Sequence, residues 1–303
     1  MKAKIVSFIN MKGGVGKTTL AINIGHKLAS TGSKVLILDM DPQFNATQSL
    51  LLYKTRLSKC NNQMSFSEED EESFEQERKS SEYYDDLSKN KQTILQIFEN
   101  SNLCEENPNL TLEHKITDNL FLIPGDLKMS KEVSGDTANK VSAVMDHLED
   151  KELINKYDYI FIDCPPTWSI LTQSSLVASD FYVIPSKVDF YSSIGIKLLE
   201  EQIDKKILND GMYKKCNKKL KELGIIFTLV HKAVKAEDDI KKSLKEQFDK
   251  INFFENDLPY MPSVPTRFVM IGEANKNSTY DQLSNALEKI TNELVNKMSG
   301  GIE

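Results

Sequence analysis

The sequence predicts an α/β fold: a doubly wound, mostly parallel sheet flanked by helices. Three observations predict it. Six short apolar runs alternate with segments of helical periodicity along the 303 residues, the pattern of strands joined by right-handed helical crossovers. Several of those runs lack polar alternation, as expected for parallel strands buried on both faces. The first run leads through a glycine-rich loop directly into a helical pattern.

The elements follow in order. KIVSFI (4–9) is the first strand, and the helix after its loop covers 17–31. KVLIL (34–38) is the second strand and ends on the acidic turn DMDPQ. NLFLIP (119–124) is the third strand, followed by a helix at 137–149. YDYIFID (157–163), a helix at about 169–178, DFYVIP (180–185), a helix at 192–208, LGIIFTLV (223–230) and a helix at 237–249 continue the alternation. Segment 281–298 closes the chain as an amphipathic helix, with Leu283, Leu287, Ile290, Leu294 and Met298 on one stripe.

The chain is 40% hydrophobic, enough for a sizeable core, and a single domain over 1–303 fits its length. No run of 18 apolar residues occurs, so no membrane-spanning helix is expected. The start, MKAKIVSFIN, has too short an apolar stretch for a signal peptide and reads as a strand. Cys60, Cys104, Cys164 and Cys216 are scattered without a C-x-x-C pair, so neither a metal site nor a disulfide framework is implied, and a reducing cytoplasm is the default.

The net charge of -7 is local. Residues 64–86 hold ten acidic and two basic residues, which leaves the rest of the chain near neutral. With no apolar periodicity, this stretch reads as a solvated, mobile acidic insertion at about 58–90. Residues 205–221, KKILNDGMYKKCNKKLK, carry seven lysines against one aspartate.

The loop INMKGGVGKTTLAINI (9–24) carries the chemistry. Gly13, Gly14 and Gly16 let backbone N–H groups turn toward an anion, and the helix starting near Lys17 adds its positive end. Lys17 would reach the β- and γ-phosphates of a nucleotide, and the Thr18 hydroxyl would ligate Mg²⁺. The phosphate-loop pattern G-x-x-x-x-G-K-[ST] places its first glycine at position 11, where Met11 stands, and a second lysine, Lys12, follows. A charged side chain there needs a partner or water.

KGGVGKTT resembles the deviant Walker A motif of the ParA/MinD family of ATPases. The resemblance implies a P-loop fold that binds ATP and Mg²⁺ through Lys12, Gly13, Gly14, Val15, Gly16, Lys17, Thr18 and Thr19. It implies that Lys12 reaches the ATP of a second copy, which makes nucleotide binding a dimerisation switch. DMDPQFNATQSL (39–50) is similar to the family's switch I segment: Asp41 would orient the attacking water and Asp39 would support the metal's water shell. Both aspartates could also simply cap a strand–helix turn. YIFIDCPP (159–166) is similar to the Walker B and switch II segment, with Asp163 holding Mg²⁺ through water and Cys164 a small buried residue. The catalytic set is thus Lys12, Lys17 and Asp41, and the metal set Thr18, Asp39 and Asp163. NDLPYMPSVPTRFVMIGEA (256–274) is placed like the loop that packs on adenine, which puts Leu258, Pro259 and Leu229 near the base.

Within that family, some members partition DNA and others bind lipid through a basic C-terminal amphipathic helix. The last helix here has a neutral to acidic polar face without aromatic residues and reads as core-facing, so no membrane contact is expected. The resemblance to partition members implies an ATP-dependent homodimer that binds double-stranded DNA without sequence preference and is released by a ParB-type centromere-binding protein. The protein would then be cytoplasmic and nucleoid-associated. Lys205, Lys206, Lys214, Lys215, Lys218, Lys219, Lys241, Lys242, Lys245 and Arg267 are the candidate phosphate contacts. Only about eight residues precede the loop, so no helix-turn-helix domain is expected there. The alternative is a MinD-like or cargo-positioning ATPase that acts on a membrane or protein scaffold.

Overall fold

The computed structural model describes residues 2–59, 69–99, 111–133, 140–215, 218–232, 234–262, 270–276 and 280–300. Its strands are β1 (Lys4–Phe8), β2 (Val35–Asp39), β3 (His114–Lys115), β4 (Leu120–Ile123), β5 (Tyr159–Asp163), β6 (Phe181–Lys187), β7 (Lys221–Val230) and β8 (Leu258–Pro259). They form one sheet in the order β3-β4-β2-β5-β1-β6-β7-β8. Every pairing is parallel except β3 with β4. The order reverses around β1, so chain crossovers leave in both directions from the centre. That is the doubly wound arrangement expected.

The helices are α1 (Lys17–Ser30), α2 (Asn45–Lys59), α3 (Glu69–Lys89), α4 (Leu95–Glu99), α5 (Met129–Glu132), α6 (Ala143–Asp150), α7 (Leu153–Lys156), α8 (Ile170–Ala178), α9 (Ser192–Ile203), α10 (Gly211–Lys215), α11 (Lys235–Gln247) and α12 (Asp281–Ser299). A π-helical turn, Asp204–Leu208, extends α9, and a 3₁₀ turn, Ile271–Lys276, precedes α12. Alternate strand residues feed two cores. Val6, Phe8, Val35 and Ile37 pack with α1, α2 and α12, while Ile5, Leu36, Leu38 and Ile160 pack with α6, α8 and α9 on the other face. The predicted stripe of α12, Leu283, Leu287, Ile290, Leu294 and Met298, is buried throughout. No helix among the described residues is long and apolar enough to cross a membrane.

The acidic segment departs from expectation. Residues 69–89, expected as a solvated, mobile insertion, form a regular helix. Its inward face is Gln76, Ser80, Tyr83, Tyr84 and Leu87; Ser80 and Leu87 are buried, and the two tyrosines pack on the core shared with α1 and α2. Glu75, Glu77, Glu82, Asp85 and Asp86 are exposed on the other faces. Residues 60–68 lie outside the described residues, as do Cys60, Cys104 and Cys216.

Candidate functional site

The parallel strands β1, β2 and β5 end side by side, and their C-terminal turns make the site. Asp39 at the end of β2 and Asp163 at the end of β5 are register partners, and both are fully buried. The glycine loop leaves β1 next to them. Gly14 and Gly16 take φ of 67° and 80°, left-handed values that a side chain disfavours. Thr228, buried in β7, pins the loop from behind by donating to the Val15 carbonyl at 2.8 Å.

Lys17 opens α1 yet is only 6% exposed. Its Nζ donates to the Lys12 carbonyl at 3.3 Å. Burial pulls its pKa down, while the charges of Asp163 and Asp41 push back. A desolvated ammonium facing a cleft is matched to an anionic ligand. Thr18 Oγ1 donates to Asp163 Oδ2 at 2.6 Å, and Asp163 Oδ1 is buried with no hydrogen-bond partner. Burial and the neighbouring Asp39 raise the Asp163 pKa well above the carboxylate range. An orphaned carboxylate oxygen beside a hydroxyl fits a hard cation such as Mg²⁺ or its water shell.

Asp39 is committed elsewhere. Its Oδ2 accepts from the Thr47 N–H at 2.8 Å and the Thr47 hydroxyl at 2.7 Å, and its Oδ1 accepts from the Asp41 N–H at 3.3 Å. Burial pushes its pKa up to about 7 despite those donors. It braces the turn that carries Asp41, which is buried at the cleft and accepts the Gln43 N–H at 3.0 Å. The strand–helix capping geometry of the sequence reading is therefore present, together with the cleft.

The cleft is a cavity of about 630 Å³. Gly13 through Thr19 line one side and Asp41, Gln43 and Asn45 another. Leu229, Leu258 and Pro259 line the far wall, where the adenine contacts were expected. Sequence reasoning missed the rest of that wall: Tyr260, Met261, Ile271 and Leu283. It also missed Lys187, whose Nζ lies 3.9 Å from the position a Cβ on Gly14 would take. Lys12 stands at the rim. Its N–H is fixed by Asn10 Oδ1 at 2.9 Å, and its ammonium is paired with Asp189.

The lysine cluster is not part of this constellation. The π turn and α10 lead into β7, whose first residue, Lys221, pairs with Phe181 at the start of β6. Lys205, Lys206, Lys214, Lys215, Lys218 and Lys219 thus gather toward the N-terminal edge of the sheet, opposite the glycine loop. Lys218 donates to the Ala178 carbonyl and Lys241 is paired with Asp257, while the more exposed Lys205, Lys214 and Lys242 reach Glu201, Asn209 and Glu246. Lys242 and Lys245 are exposed on α11, and Arg267 lies outside the described residues.

Residues 3–221 match the model of a protein family described as an AAA domain. The chromosome-partitioning ATPase Soj of Treponema pallidum is 30% identical over 96% of this chain and 97% of its own length. The chain belongs to the ParA/MinD-type P-loop ATPases. Two solved structures share the fold of that family. A McdA–ATP complex from Cyanothece superposes with a TM-score of 0.68 at 20% identity, covering 97% of each chain. A plasmid partition protein of Borrelia burgdorferi B31 bound to AMPPNP gives 0.65 at 21% identity, covering 98% of this chain and all of that one. The glycine loop and Asp41 of this chain line one cleft, and Thr18 of that loop is hydrogen-bonded to the buried Asp163.

Proposed function

We propose that this chain is a Mg²⁺-dependent ATPase that segregates DNA. Two copies close on ATP, the dimer binds DNA without sequence preference, and hydrolysis stimulated by a ParB-type centromere-binding partner releases it. The observation that carries the ATPase reading is the buried, anion-seeking Lys17 on the wall of a nucleotide-sized cavity, with the next residue, Thr18, bonded to an Asp163 carboxylate whose other oxygen is orphaned. Soj of Treponema pallidum, a chromosome-partitioning ATPase by name, supports the DNA reading.

In this reading the residues divide the work. Lys17 and the loop N–H groups neutralise the phosphate oxygens. Thr18 and Asp163 would hold Mg²⁺, which when bound draws charge from the transferred phosphoryl group. Asp41 orients the attacking water, and Asp39 holds the Asp41 turn in place. Lys12 leaves Asp189 and crosses to the phosphates of the second copy. Lys12→Ala is expected to retain some ATP binding and lose stimulated turnover. Asp41→Ala is expected to accumulate the ATP dimer.

The test is binding to random-sequence duplex DNA with ATP–Mg²⁺, with ADP and without nucleotide, across a salt series. ATP-dependent, salt-sensitive binding supports the reading. Absence of binding in every state, with an ATP dimer seen by sizing, favours a cargo-positioning ATPase instead. One observation favours that second reading: Phe190, Tyr191 and Ile194 are 81%, 74% and 61% exposed beside Asp189, an apolar patch suited to a protein partner.

A further inference from the structure

The acidic helix α3 touches the catalytic turn through Tyr84. Phe44 lies between Gln43 and Asn45, both of which line the cavity with Asp41. Phe44 itself turns away, and its ring stacks on Tyr84 of α3 with centroids 4.8 Å apart and planes 24° from parallel. Its backbone is held too: the Phe44 N–H donates to the Asp41 carbonyl at 2.8 Å, and its φ is 42°, a left-handed value costly for a residue with a Cβ. On the other flank, a Cβ on Gly125 would come within 3.0 Å of Phe44 Cβ and 3.1 Å of Asp39 Cγ. The strained turn is therefore pressed between the 125 loop and the Tyr84 ring. Tyr84 is itself half-buried, packed against the core that α1 and α2 share.

We propose that Tyr84 is a positioning residue for hydrolysis: by stacking on Phe44 it holds the Asp41–Asn45 turn in the conformation that aims the Asp41 carboxylate into the cleft. The segment that sequence reading treated as a solvated insertion thus becomes part of the machinery. A strained backbone persists only where its surroundings over-determine it, and the stack supplies that constraint from outside the loop. Small displacements of a catalytic carboxylate cost much rate and little ground-state affinity. The inference rests on the reading of Asp41 as the water-orienting group.

The test compares full-length variants in steady-state ATP hydrolysis, in binding of a fluorescent ATP analogue, and in amide exchange without nucleotide. Tyr84→Ala and Phe44→Gly are each expected to lower kcat about tenfold while analogue affinity stays within about twofold of the parent. The double variant should fall no further than either single one, because both remove one contact. Tyr84→Phe, which keeps the ring, should restore kcat. Residues 41–46 should exchange faster in Tyr84→Ala than in the parent. Tyr83→Ala removes the neighbouring ring, which stacks instead under the Lys54 ammonium, and should leave kcat and exchange at 41–46 unchanged. Parent-rate hydrolysis by Tyr84→Ala, or an equal loss in Tyr83→Ala, would overturn the inference while leaving Asp41 in its role. Parent-rate hydrolysis by Asp41→Ala in the same assay would overturn the Asp41 reading and this inference with it.

Discussion

The ammonium of Lys12 is bound by the carboxylate of Asp189 in its own chain, at the turn that begins α9. Asp189 is also held by the Tyr191 N–H at 3.1 Å and the Ser192 hydroxyl at 3.0 Å. Partial burial alone would raise its pKa, but the donors from Lys12 and Ser192 win and hold it below the ordinary value. In the proposed cycle Lys12 reaches a second copy, and it must first leave this pair. Asp189→Asn should therefore strengthen ATP-dependent dimerisation. Both side chains are about one third exposed, so the gain is modest, about two- to fivefold, and shrinks at high salt. Concentration-dependent sizing with ATP–Mg²⁺ checks it, and a weaker dimer would contradict it.

Lys17 lines the cavity, and its ammonium donates to the Lys12 carbonyl at 3.3 Å. Lys17→Ala is expected to lower ATP affinity on the order of 100-fold, the loss typical of a desolvated charge contact. Titration calorimetry reads this directly. Near-parent affinity would remove Lys17 from the phosphate site.

The exposed lysines Lys205, Lys206, Lys214 and Lys215 are expected to contact DNA phosphates, and replacing all four with alanine tests this. Binding should weaken on all sequences alike, and the slope of log affinity against log salt should flatten by roughly 3 to 4 units. Lys218→Ala should matter less, because its ammonium already serves the Ala178 carbonyl. An unchanged salt slope in the fourfold variant would move the DNA surface elsewhere.

The buried carboxylates predict how stability varies with pH. The Asp39 pKa rises from 3.8 to about 7 on folding, so the folded chain binds a proton that the unfolded chain releases. This contribution is fully present below pH 3.8 and is lost as pH rises toward 7. Against Asp39→Asn, whose amide oxygen can still accept from Thr47, the parent should lose stability on the order of 1 kcal/mol per pH unit across that window. Urea denaturation at several pH values measures the difference, and a flat or opposite slope would show that Asp39 is charged throughout.

The central sheet was legible because β1, β2, β5, β6 and β7 are buried on both faces and so read as unbroken apolar runs. The edge strands were not. His114–Lys115 and Leu258–Pro259 are two residues each, too short to show a period. Helix α3 stayed hidden because its inward stripe mixes Gln76 and Ser80 with Tyr83, Tyr84 and Leu87, so helical spacing is present but apolar spacing is not. In the site, the phosphate loop and its aspartates were legible, since their chemistry needs particular residues at strand ends. The cavity wall was only half legible. Ile271 sits there because its N–H donates to Asn23 Oδ1 at 2.7 Å, a contact spanning 248 positions that no local pattern marks.

The glycine loop and the lysine cluster lie at opposite ends of the strands, separated by about 17 Å if β1's five residues are extended. In the proposed cycle, nucleotide therefore need not reshape any lysine to control a grip on DNA. Joining two chains would place two weakly adhesive edges on one polymer, and the second edge would then bind at a high effective concentration set by the first. Avidity of this kind turns a small change in pairing into a steep change in residence on DNA, and lets go as soon as the pair separates.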